Sequence, residues 1–384
     1  MTLQTSPGNH QAWVAVSGLT DPQDAKVAVG SKFRKPLDRG ISKAGKDRSQ
    51  VVEYRPTTKE NFTAHEGIVQ RISHLGVSSN SDTSKPKGTT MKLKNLALTL
   101  GVSVLLCMSA AFAQTSYNFE TINYPDDTFT QLLGINNSNQ IAGYHGANIN
   151  KGFTYVLSSK TFTKENFPGS QQTQVIGINN PPFKTSGFYI LDGKTIGFTD
   201  YLGSFTSVAY PKKPFNQLLS QNDFGQAAGY YSTTESGSGP DTAYIYDEKG
   251  GGIFEVFEIP ASVSAQATGI NNSSSVCGFY IDAKGVNHGW LQIQGKFTVL
   301  NYPDSTGTQA LGLNNKGLVV GSWTDTSGNS HGFVYTVATA SFESIDDPDG
   351  VGTTVVNGIN DKGVLVGFFG TAPINSGFVA SPTE

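Results

Sequence analysis

The chain has 384 residues, of which 37% are hydrophobic and only 15% are charged, and it contains 44 Gly and 17 Pro. Few charges together with so much Gly argue against a coiled coil, a charged disordered protein and a nucleic-acid binder with a basic surface. The length allows two or three ordinary domains, or one large repetitive domain.

Charge is distributed unevenly along the chain. Residues 1–113 contain 15 Lys and Arg against 8 Asp and Glu, whereas residues 114–384 contain 12 Lys, no Arg and 22 Asp and Glu. The second part therefore lacks the guanidinium groups that bind phosphate through two hydrogen bonds. We predict that it has neither a nucleic-acid partner nor an anionic membrane partner.

The junction between the two parts has the pattern of a secretion signal that starts at Met91. Lys92 and Lys94 precede an apolar run over residues 96–108, and Ala111-Phe112-Ala113 has the form of a cleavage site. The apolar run is shorter than the ~20 residues that span a bilayer as a helix. We therefore predict a signal peptide over 91–113, cleaved after Ala113, and a secreted product, extracellular or periplasmic, that has no stable membrane insertion. An uncleaved signal anchor is the alternative.

Residues 1–90 have no sustained hydrophobic periodicity and are rich in Lys, Ser, Thr, Gly and Asp. Such a composition predicts disorder. Because signal peptides begin chains, we interpret 1–90 as an upstream extension that arises from a wrongly assigned start, with Met91 as the real start. A disordered cytoplasmic tail before a signal anchor is the alternative.

Cleavage leaves Cys277 as the single cysteine of the mature chain, so no disulfide forms within it. Neighbouring repeats have small apolar residues at the same place. This favours a buried structural thiol over a nucleophile.

Six copies of one unit fill residues 114–384. Each copy begins with an F-x5-P pattern, and the six Phe residues are Phe119, Phe162, Phe205, Phe254, Phe297 and Phe342. A G-[IL]-N motif or a relic of it follows the Pro, and its Asn residues are Asn136, Asn179, Asn222, Asn271, Asn314 and Asn360. A second Gly and a G-[FW] pair complete each unit, except that the third unit has Ala243-Tyr244 in place of the pair. Self-similarity at such spacing indicates a repeat architecture.

Each unit predicts four short strands. In the fifth unit these are 309–314, 318–323, 331–336 and 342–346, with turn sequences between the first three strands. Four-stranded units of about 40–50 residues are typical of propeller blades. The first predicted strand of the chain (119–124) matches the fourth strand of a unit, and the last predicted strand (377–380) matches the third strand of a unit. Together they can therefore complete one blade. We predict an all-β, six-bladed β-propeller over about 118–381, closed by the N-terminal strand (about 118–124) in the last blade. An open β-solenoid or a sandwich is the alternative.

The G-I-N, G-Y and H-G-F motifs resemble those of the extracellular HAF-repeat family of exported bacterial proteins. The third motif occurs as His288-Gly289-Trp290 and His331-Gly332-Phe333, with Gly where the family has Ala. The resemblance covers all six units and implies export and a propeller-like fold. It implies no catalytic residues.

Two sets of repeated polar residues suggest different roles. The six Asn residues of the G-[IL]-N motif favour turn caps through side-chain hydrogen bonds to the backbone. Five units begin their first strand with Gln, namely Gln131, Gln174, Gln217, Gln266 and Gln309, and Val355 occupies the sixth position. If this strand is innermost, the amides form a ring at the mouth of the central channel, where they contact either neighbouring blades or a ligand.

The loops that join strands two and three, and those that join strand four to the next unit, should lie on one face of the propeller. Acidic and histidine residues concentrate in them. The predicted ligand-binding candidates are Asp126, His145, Asp282, His288, Asp304, Asp325, His331 and Asp349. Asp127, Asp346 and Asp347 lie beside them, and the Ser/Gly-rich segment Ser232 to Asp241 suggests a long loop there. Turn chemistry alone is the alternative explanation for each Asp.

No catalytic, cofactor or metal motif occurs in the chain. The leading hypothesis is a secreted, monomeric, non-enzymatic binding module for a glycan or a protein on the acidic loop face. A glycoside hydrolase or lyase that uses a pair of loop carboxylates is the second hypothesis. A structural cell-surface module is the third.

Overall fold

The computed structural model describes residues 115–383. These residues form β-strands and turns, and no helix in this range is long and apolar enough to cross a membrane. The predictions for residues 1–90 and for the signal peptide at 91–113 lie outside the described residues.

The strands form six antiparallel sheets of four strands each. Blade 1 contains β2 (Thr130–Ile135), β3 (Gln140–His145), β4 (Lys151–Val156) and β5 (Thr161–Lys164), and blade 2 contains β6 (Gln172–Ile178), β7 (Thr185–Leu191), β8 (Lys194–Tyr201) and β9 (Ser204–Val208). Blade 3 contains β10 (Phe215–Gln221), β11 (Gln226–Ser232), β12 (Asp241–Asp247) and β13 (Ile253–Val256), and blade 4 contains β14 (Ser262–Ile270), β15 (Val276–Asp282), β16 (Asn287–Ile293) and β17 (Lys296–Leu300).

Blade 5 contains β18 (Gly307–Leu313), β19 (Leu318–Thr324), β20 (Ser330–Thr336) and β21 (Ser341–Ile345). Blade 6 contains β22 (Val355–Ile359), β23 (Leu365–Phe369) and β24 (Ser376–Pro382), and it is completed by β1 (Tyr117–Ile122) from the start of the described chain. The first strand of each blade is innermost and packs beside the first strands of its two neighbours.

The ring closes between β1 and β24. Phe119 pairs with Ala380 and Thr121 with Phe378, and the ring centroids of Phe119 and Phe378 are 5.6 Å apart. The blade that holds the first and last strands of the described segment therefore has its full set of four strands, which leaves no gap at the junction. This confirms the predicted six-bladed β-propeller and its closure by the N-terminal strand.

The repeated glycine in the second strand of each blade permits a close approach of backbone to backbone. A Cβ atom at Gly278 would lie 2.0 Å from the carbonyl oxygen of Gln266, and at Gly321 one would lie 1.9 Å from that of Gln309. No other residue type fits there without moving the innermost strand. The second Gly of the repeat is therefore required by the pairing of strands one and two.

The apolar core consists of an axial cluster and of clusters between neighbouring blades. The axial cluster draws buried side chains from all six blades, including Leu133, Ile176, Leu219 and Leu311 of the innermost strands. Between blades, the large buried residues include Phe153, Phe198 and Trp290. Cys277 is fully buried, as predicted, and burial raises the pKa of its thiol to about 12.

A ring of six asparagines links the blades at the turns between strands one and two. Each donates a hydrogen bond from Nδ2 to the backbone carbonyl of its counterpart in the next blade, in the order Asn136, Asn179, Asn222, Asn271, Asn314, Asn360 and back to Asn136. In five of the turns, Oδ1 also accepts backbone N–H groups of its own turn two and four residues on; the exception is Asn179. The asparagines thus cap their turns, and they also join each blade to the next.

The following residue of each turn forms a second closed ring. Its backbone N–H donates to Oδ1 of the next member, in the order Asn137, Asn180, Asp223, Asn272, Asn315 and Asp361. Each of the two aspartates accepts side-chain amides from the Asn on either side of it. Burial raises the pKa of Asp361, but these hydrogen bonds outweigh it and hold that pKa below its ordinary value.

Candidate functional site

The loop face consists of the turns between strands two and three and the turns that enter each blade. In several entering turns Pro is followed by a residue with positive φ, which is 61° at Asp126 and 58° at Asp304. The backbone N–H of Asp127 donates to the carbonyl of Tyr124, and Ser305 and Tyr302 pair in the same way. Pro followed by a residue with positive φ is the arrangement of a type II turn, which here leaves Asp126 and Asp304 exposed at its tip.

Charge on the loop face is divided between two sectors. Asp304, Asp349 and Asp126 are exposed in the turns that enter blades 5, 6 and 1, which are consecutive around the ring. Lys212 and Lys213 occupy the turn that enters blade 3, on the opposite side. We call the part of the face on blades 5, 6 and 1 the acidic sector. The loop face is therefore not acidic throughout, contrary to the prediction from the sequence, because Lys212 and Lys213 lie on it.

The histidines tie loops together within their own blades. His331 Nδ1 lies 2.8 Å from Asp346 Oδ2, and its Nε2 lies 3.6 Å from Asp325 Oδ2. Both ring nitrogens therefore face carboxylates, one from each of two neighbouring loops of blade 5. This arrangement favours a tether over a general base, because neither nitrogen is left free to accept a proton from a substrate.

His145 and His288 are held in similar ways. His145 Nδ1 lies 2.8 Å from Asp127 Oδ2. His288 Nδ1 lies 2.9 Å from Asn301 Oδ1, and its Nε2 lies 3.4 Å from Asp282 Oδ2. The structure thus brings each predicted histidine next to an aspartate of its own blade. It does not bring the three histidines together, since they belong to blades 1, 4 and 5.

Asp282 and Asp325 each organise a turn between strands two and three. Asp325 Oδ1 accepts the backbone N–H groups of Ser327 and Asn329, both at 2.8 Å, and Oδ2 accepts the Asn329 side chain at 2.9 Å. These hydrogen bonds, that of the Asn329 side chain first, lower the pKa of Asp325 to about 2. The backbone N–H of Val286 is the main cause that lowers the pKa of Asp282.

The aromatic residues of the loop face are stacked against one another. Tyr302 stacks on Trp323 at a centroid distance of 4.1 Å, and His331 covers the other face of Trp323 at 4.5 Å. Tyr124 stacks on His145 at 3.6 Å. Because neighbours cover both faces of Trp323, its ring is not available as a platform for a sugar.

The turn that enters blade 6 differs from the others. Asp347 stands where Tyr124 and Tyr302 stand in their turns, and it is only 1% exposed. Its Oδ1 accepts the N–H of Asp349 at 2.9 Å, and its Oδ2 has no partner among the described residues. Burial raises the pKa of Asp347, and the charge of Asp349 adds to this effect.

The five glutamines of the innermost strands are buried, with exposed fractions between 1% and 8%. Gln174 Nε2 donates to Asn150 Oδ1 at 2.7 Å, and Gln266 Nε2 donates to Asp241 Oδ2, also at 2.7 Å. Asn150 and Asp241 each belong to the preceding blade. Gln131 and Gln217 accept hydrogen bonds from tyrosine hydroxyls of their own blades. The contacts of Gln174 and Gln266 favour a role in joining blades. Burial raises the pKa of Asp241 to about 7.

The central axis contains two small cavities. One, of about 70 Å³, is lined by the asparagine rings, and the other, of about 90 Å³, lies against the innermost strands. Since a water molecule takes about 30 Å³ of liquid volume, they suit a few waters at most.

A larger cleft lies between blades 1 and 2, and none of the candidate residues predicted from the sequence lines it. Its volume is about 380 Å³, and its lining includes Glu165, Thr185 and Asp200. Glu165 and Asp200 are not among the conserved letters of the repeat motifs, so the motifs do not predict a site at these two acids. A comparison of the six units position by position gives the missing signal, because both acids replace residues of a different type.

Comparisons with known proteins give matches to solved structures at low sequence identity. No family model and no curated protein matches the chain. Among solved structures, TolB from Acinetobacter baumannii is 9% identical over 67% of this chain and 64% of that chain, with a TM-score of 0.40, so the match spans less than two thirds of TolB. A six-bladed propeller lectin from Aleuria aurantia is 8% identical over 65% of this chain and 92% of that chain, with a TM-score of 0.42. A chain of a nidogen/laminin complex is 11% identical over 65% of this chain and 95% of that chain, with a TM-score of 0.44.

The six-bladed propeller fold follows from this chain's own strand order.

Within residues 115–383, no group of three or more His, Cys, Asp and Glu side chains is arranged to hold a metal ion.

Proposed function

We propose that the protein is a secreted, monomeric β-propeller binding module that takes its ligand on the acidic sector of the loop face. The signal-peptide pattern from Met91 and the resemblance to exported HAF repeats support secretion. The carboxylates of Asp304, Asp349 and Asp126, exposed on three consecutive blades, are the observation that carries the proposal. None of them forms an ion pair with a described residue.

The chemistry of this sector favours a protein ligand with a basic patch over a glycan. Carboxylates on rigid turns attract cationic side chains and steer them during encounter. A glycan site normally adds an aromatic platform, and Trp323 is covered on both faces. The sector is also held in shape, because His331 and His145 tie its loops to the blades.

Binding of a lysine-rich peptide at low and high ionic strength tests this proposal. The variant with Asp126, Asp304 and Asp349 all changed to Asn should bind the peptide at least about fivefold more weakly at low salt, and the difference should shrink at high salt. A matched control changes Glu120 and Glu255 to Gln and Asp247 to Asn, which removes the same number of charges away from the loop face. Equal binding by the two variants contradicts the proposal and leaves the structural-module hypothesis.

The N-terminus of the secreted protein tests the proposal about export. A first residue at Gln114 is expected, because cleavage follows Ala113. A native protein that retains residues 1–90 contradicts it.

A further inference from the structure

The interface between blades 1 and 2 has an acid where the other interfaces are apolar. Glu165 N–H donates to the carbonyl of Gly152, the glycine of the third strand. At the same position opposite the third strand, the other five blades have Ile122, Val208, Phe257, Leu300 and Ile345. Glu165 is therefore a polar replacement at a core position of the repeat.

Two further polar replacements face Glu165 from blade 2. Thr185 pairs with Ile178, and the equivalent residues of the other blades are Ile141, Ala227, Val276, Val319 and Leu365. Asp200 pairs with Thr185, and three of its five equivalents are tyrosines, namely Tyr155, Tyr246 and Tyr335. The three replacements thus meet in one place.

Where a tyrosine occupies the position of Asp200, it covers the phenylalanine of the neighbouring fourth strand. Tyr155 packs on the ring of Phe162 at a centroid distance of 4.4 Å, and Tyr335 packs on Phe342 at 4.7 Å. The side chain of Asp200 is too short to cover the equivalent Phe205. Phe205 is therefore part of the lining of the cleft of about 380 Å³. Ligand pockets have volumes of about 300–1,000 Å³.

The floor of the cleft is polar and has an unused acceptor. Thr185 Oγ1 donates a hydrogen bond to Glu165 Oε1. Asp200 is 6% exposed, and its carboxylate is contacted by the backbone N–H groups of Gly203, at 3.2 Å from Oδ2, and of Tyr201, while Oδ1 has no well-aligned hydrogen bond among residues 115–383. A buried oxygen without a hydrogen bond is costly, so a ligand that supplies the donor accounts for it.

The rim of the cleft is apolar. The turn between strands one and two is one residue longer in blade 2: Asn179 N–H pairs with the carbonyl of Lys184, five residues on, against four in the other blades. The longer turn places Phe183 at the cleft, and Pro181 and Pro182 line an adjoining depression of about 410 Å³ together with Tyr201 and Leu202. Leu202 is 74% exposed.

We propose that this cleft binds a neutral saccharide, with its hydroxyl groups on Glu165, Thr185 and Asp200 and its apolar face on Phe183 and the rim. A sugar ring has hydroxyls at its edge and C–H groups on its face, which matches a polar floor beneath an apolar rim.

The electrostatics of the cleft favour a neutral ligand. Burial raises the pKa of Glu165 to about 7, and the charge of Asp200 adds to this effect, which the hydrogen bond from Thr185 partly offsets. Burial also raises the pKa of Asp200. Near neutral pH, Glu165 therefore populates its protonated form and donates a hydrogen bond, so the floor offers both donors and acceptors. Lys164, which also lines the cleft, disfavours a cationic ligand.

Saturation-transfer NMR of the full chain with glucose, galactose, mannose, xylose, N-acetylglucosamine and their disaccharides tests the proposal. At least one of these probes should bind. Asp200→Asn and Glu165→Gln should each weaken that binding at least tenfold, which is about 1.4 kcal/mol. Asp247→Asn, at the end of β12 in blade 3, should leave it unchanged, as should the triple asparagine variant of the acidic sector. Binding by none of the probes, or equal binding by Asp200→Asn and the original chain, overturns the proposal.

A second variant separates a binding role from a structural one. Glu165→Leu together with Thr185→Val restores the apolar pair of the other interfaces. If the polar residues serve a ligand at the expense of stability, this variant should unfold at a higher temperature and should no longer bind the sugar. A lower unfolding temperature means that the polar cluster supports the fold, and it overturns the proposal.

Discussion

Asn360 Nδ2 donates a hydrogen bond to the backbone carbonyl of Asn136, 3.0 Å away, and so joins the last blade to the first. The same bond recurs in all five remaining pairs of neighbouring blades. Two different devices therefore close the ring: β1 completes the sheet of blade 6 at its outer edge, and the asparagine chain passes around the axis.

We expect Asn360→Ala to destabilise the protein by about 1–3 kcal/mol, because it leaves buried backbone groups in its own turn and in blade 1 without partners. The free energy of unfolding from denaturant titration measures the effect. Asn148, which is exposed in a turn of blade 1, is a suitable control position. A loss no greater than that of Asn148→Ala would show that the asparagine chain adds nothing to stability.

Gly278→Ala should destabilise the protein by at least about 3 kcal/mol, since the added Cβ cannot coexist with the native pairing of β14 and β15. It would lie 2.0 Å from the Gln266 carbonyl oxygen and 2.8 Å from the Trp290 ring. At Gly307 the nearest atom to an added Cβ is 3.7 Å away, so Gly307→Ala serves as the control. Thermal unfolding followed by circular dichroism distinguishes the two. A native-like midpoint for Gly278→Ala would contradict the expectation.

Glu165 should make stability depend on pH above about 4.5. Burial raises its pKa from 4.5 to about 7, so the folded protein holds this proton more tightly than the unfolded chain does. The stability that Glu165 contributes is complete below pH 4.5 and is lost as the pH rises towards about 7, by up to about 3 kcal/mol.

The variant Glu165→Gln should remove the part of the pH dependence that comes from Glu165, whereas Asp241, whose pKa burial also raises to about 7, keeps its own part. Unfolding free energies at pH 5 and pH 8 should differ less in Glu165→Gln than in the original chain, whereas Asp247→Asn should behave like the original chain. Parallel pH profiles for all three proteins would be inconsistent with a buried Glu165.

Asp325 should titrate at unusually low pH. Its pKa is lowered to about 2, first by the side chain of Asn329 and then by backbone N–H groups of its turn. Asn329→Ala should therefore move the Asp325 pKa upward, towards its ordinary value of 3.8. NMR titration of the side-chain carboxyl carbon measures this. Asn301→Ala, which changes the partner of His288 instead, should leave the Asp325 pKa where it is.

The fold was predictable because every unit repeats the same sequence motifs. The F-x5-P spacing marks the fourth strand and the turn after it, and the second-strand glycine, which is Gly278 in blade 4, is required by strand pairing in all six blades. Closure followed from the types of the first and last strands. The observed strands of blade 5 begin and end within two residues of the predicted ones.

The candidate sites were less predictable, for two physical reasons. The exposed Asp304 and the turn-capping Asp325 look alike in sequence, because Asp serves turn geometry and ligand binding equally well. Glu165 and Asp200 belong to different blades, so their approach depends on how blades 1 and 2 pack. A position-by-position comparison of the repeats identifies each as unusual, but only the structure brings them to one cleft.

The meeting of the two ends of the propeller has a consequence for engineering. Thr383 N–H donates to the carbonyl of Ser116 at 2.8 Å, so in a protein cut to residues 116–383 a short linker would join the two ends without disturbing the sheet. Since the interblade hydrogen bonds repeat around the whole circle, a circular permutant with new termini in the loop between Ser232 and Asp241 should fold to the same ring.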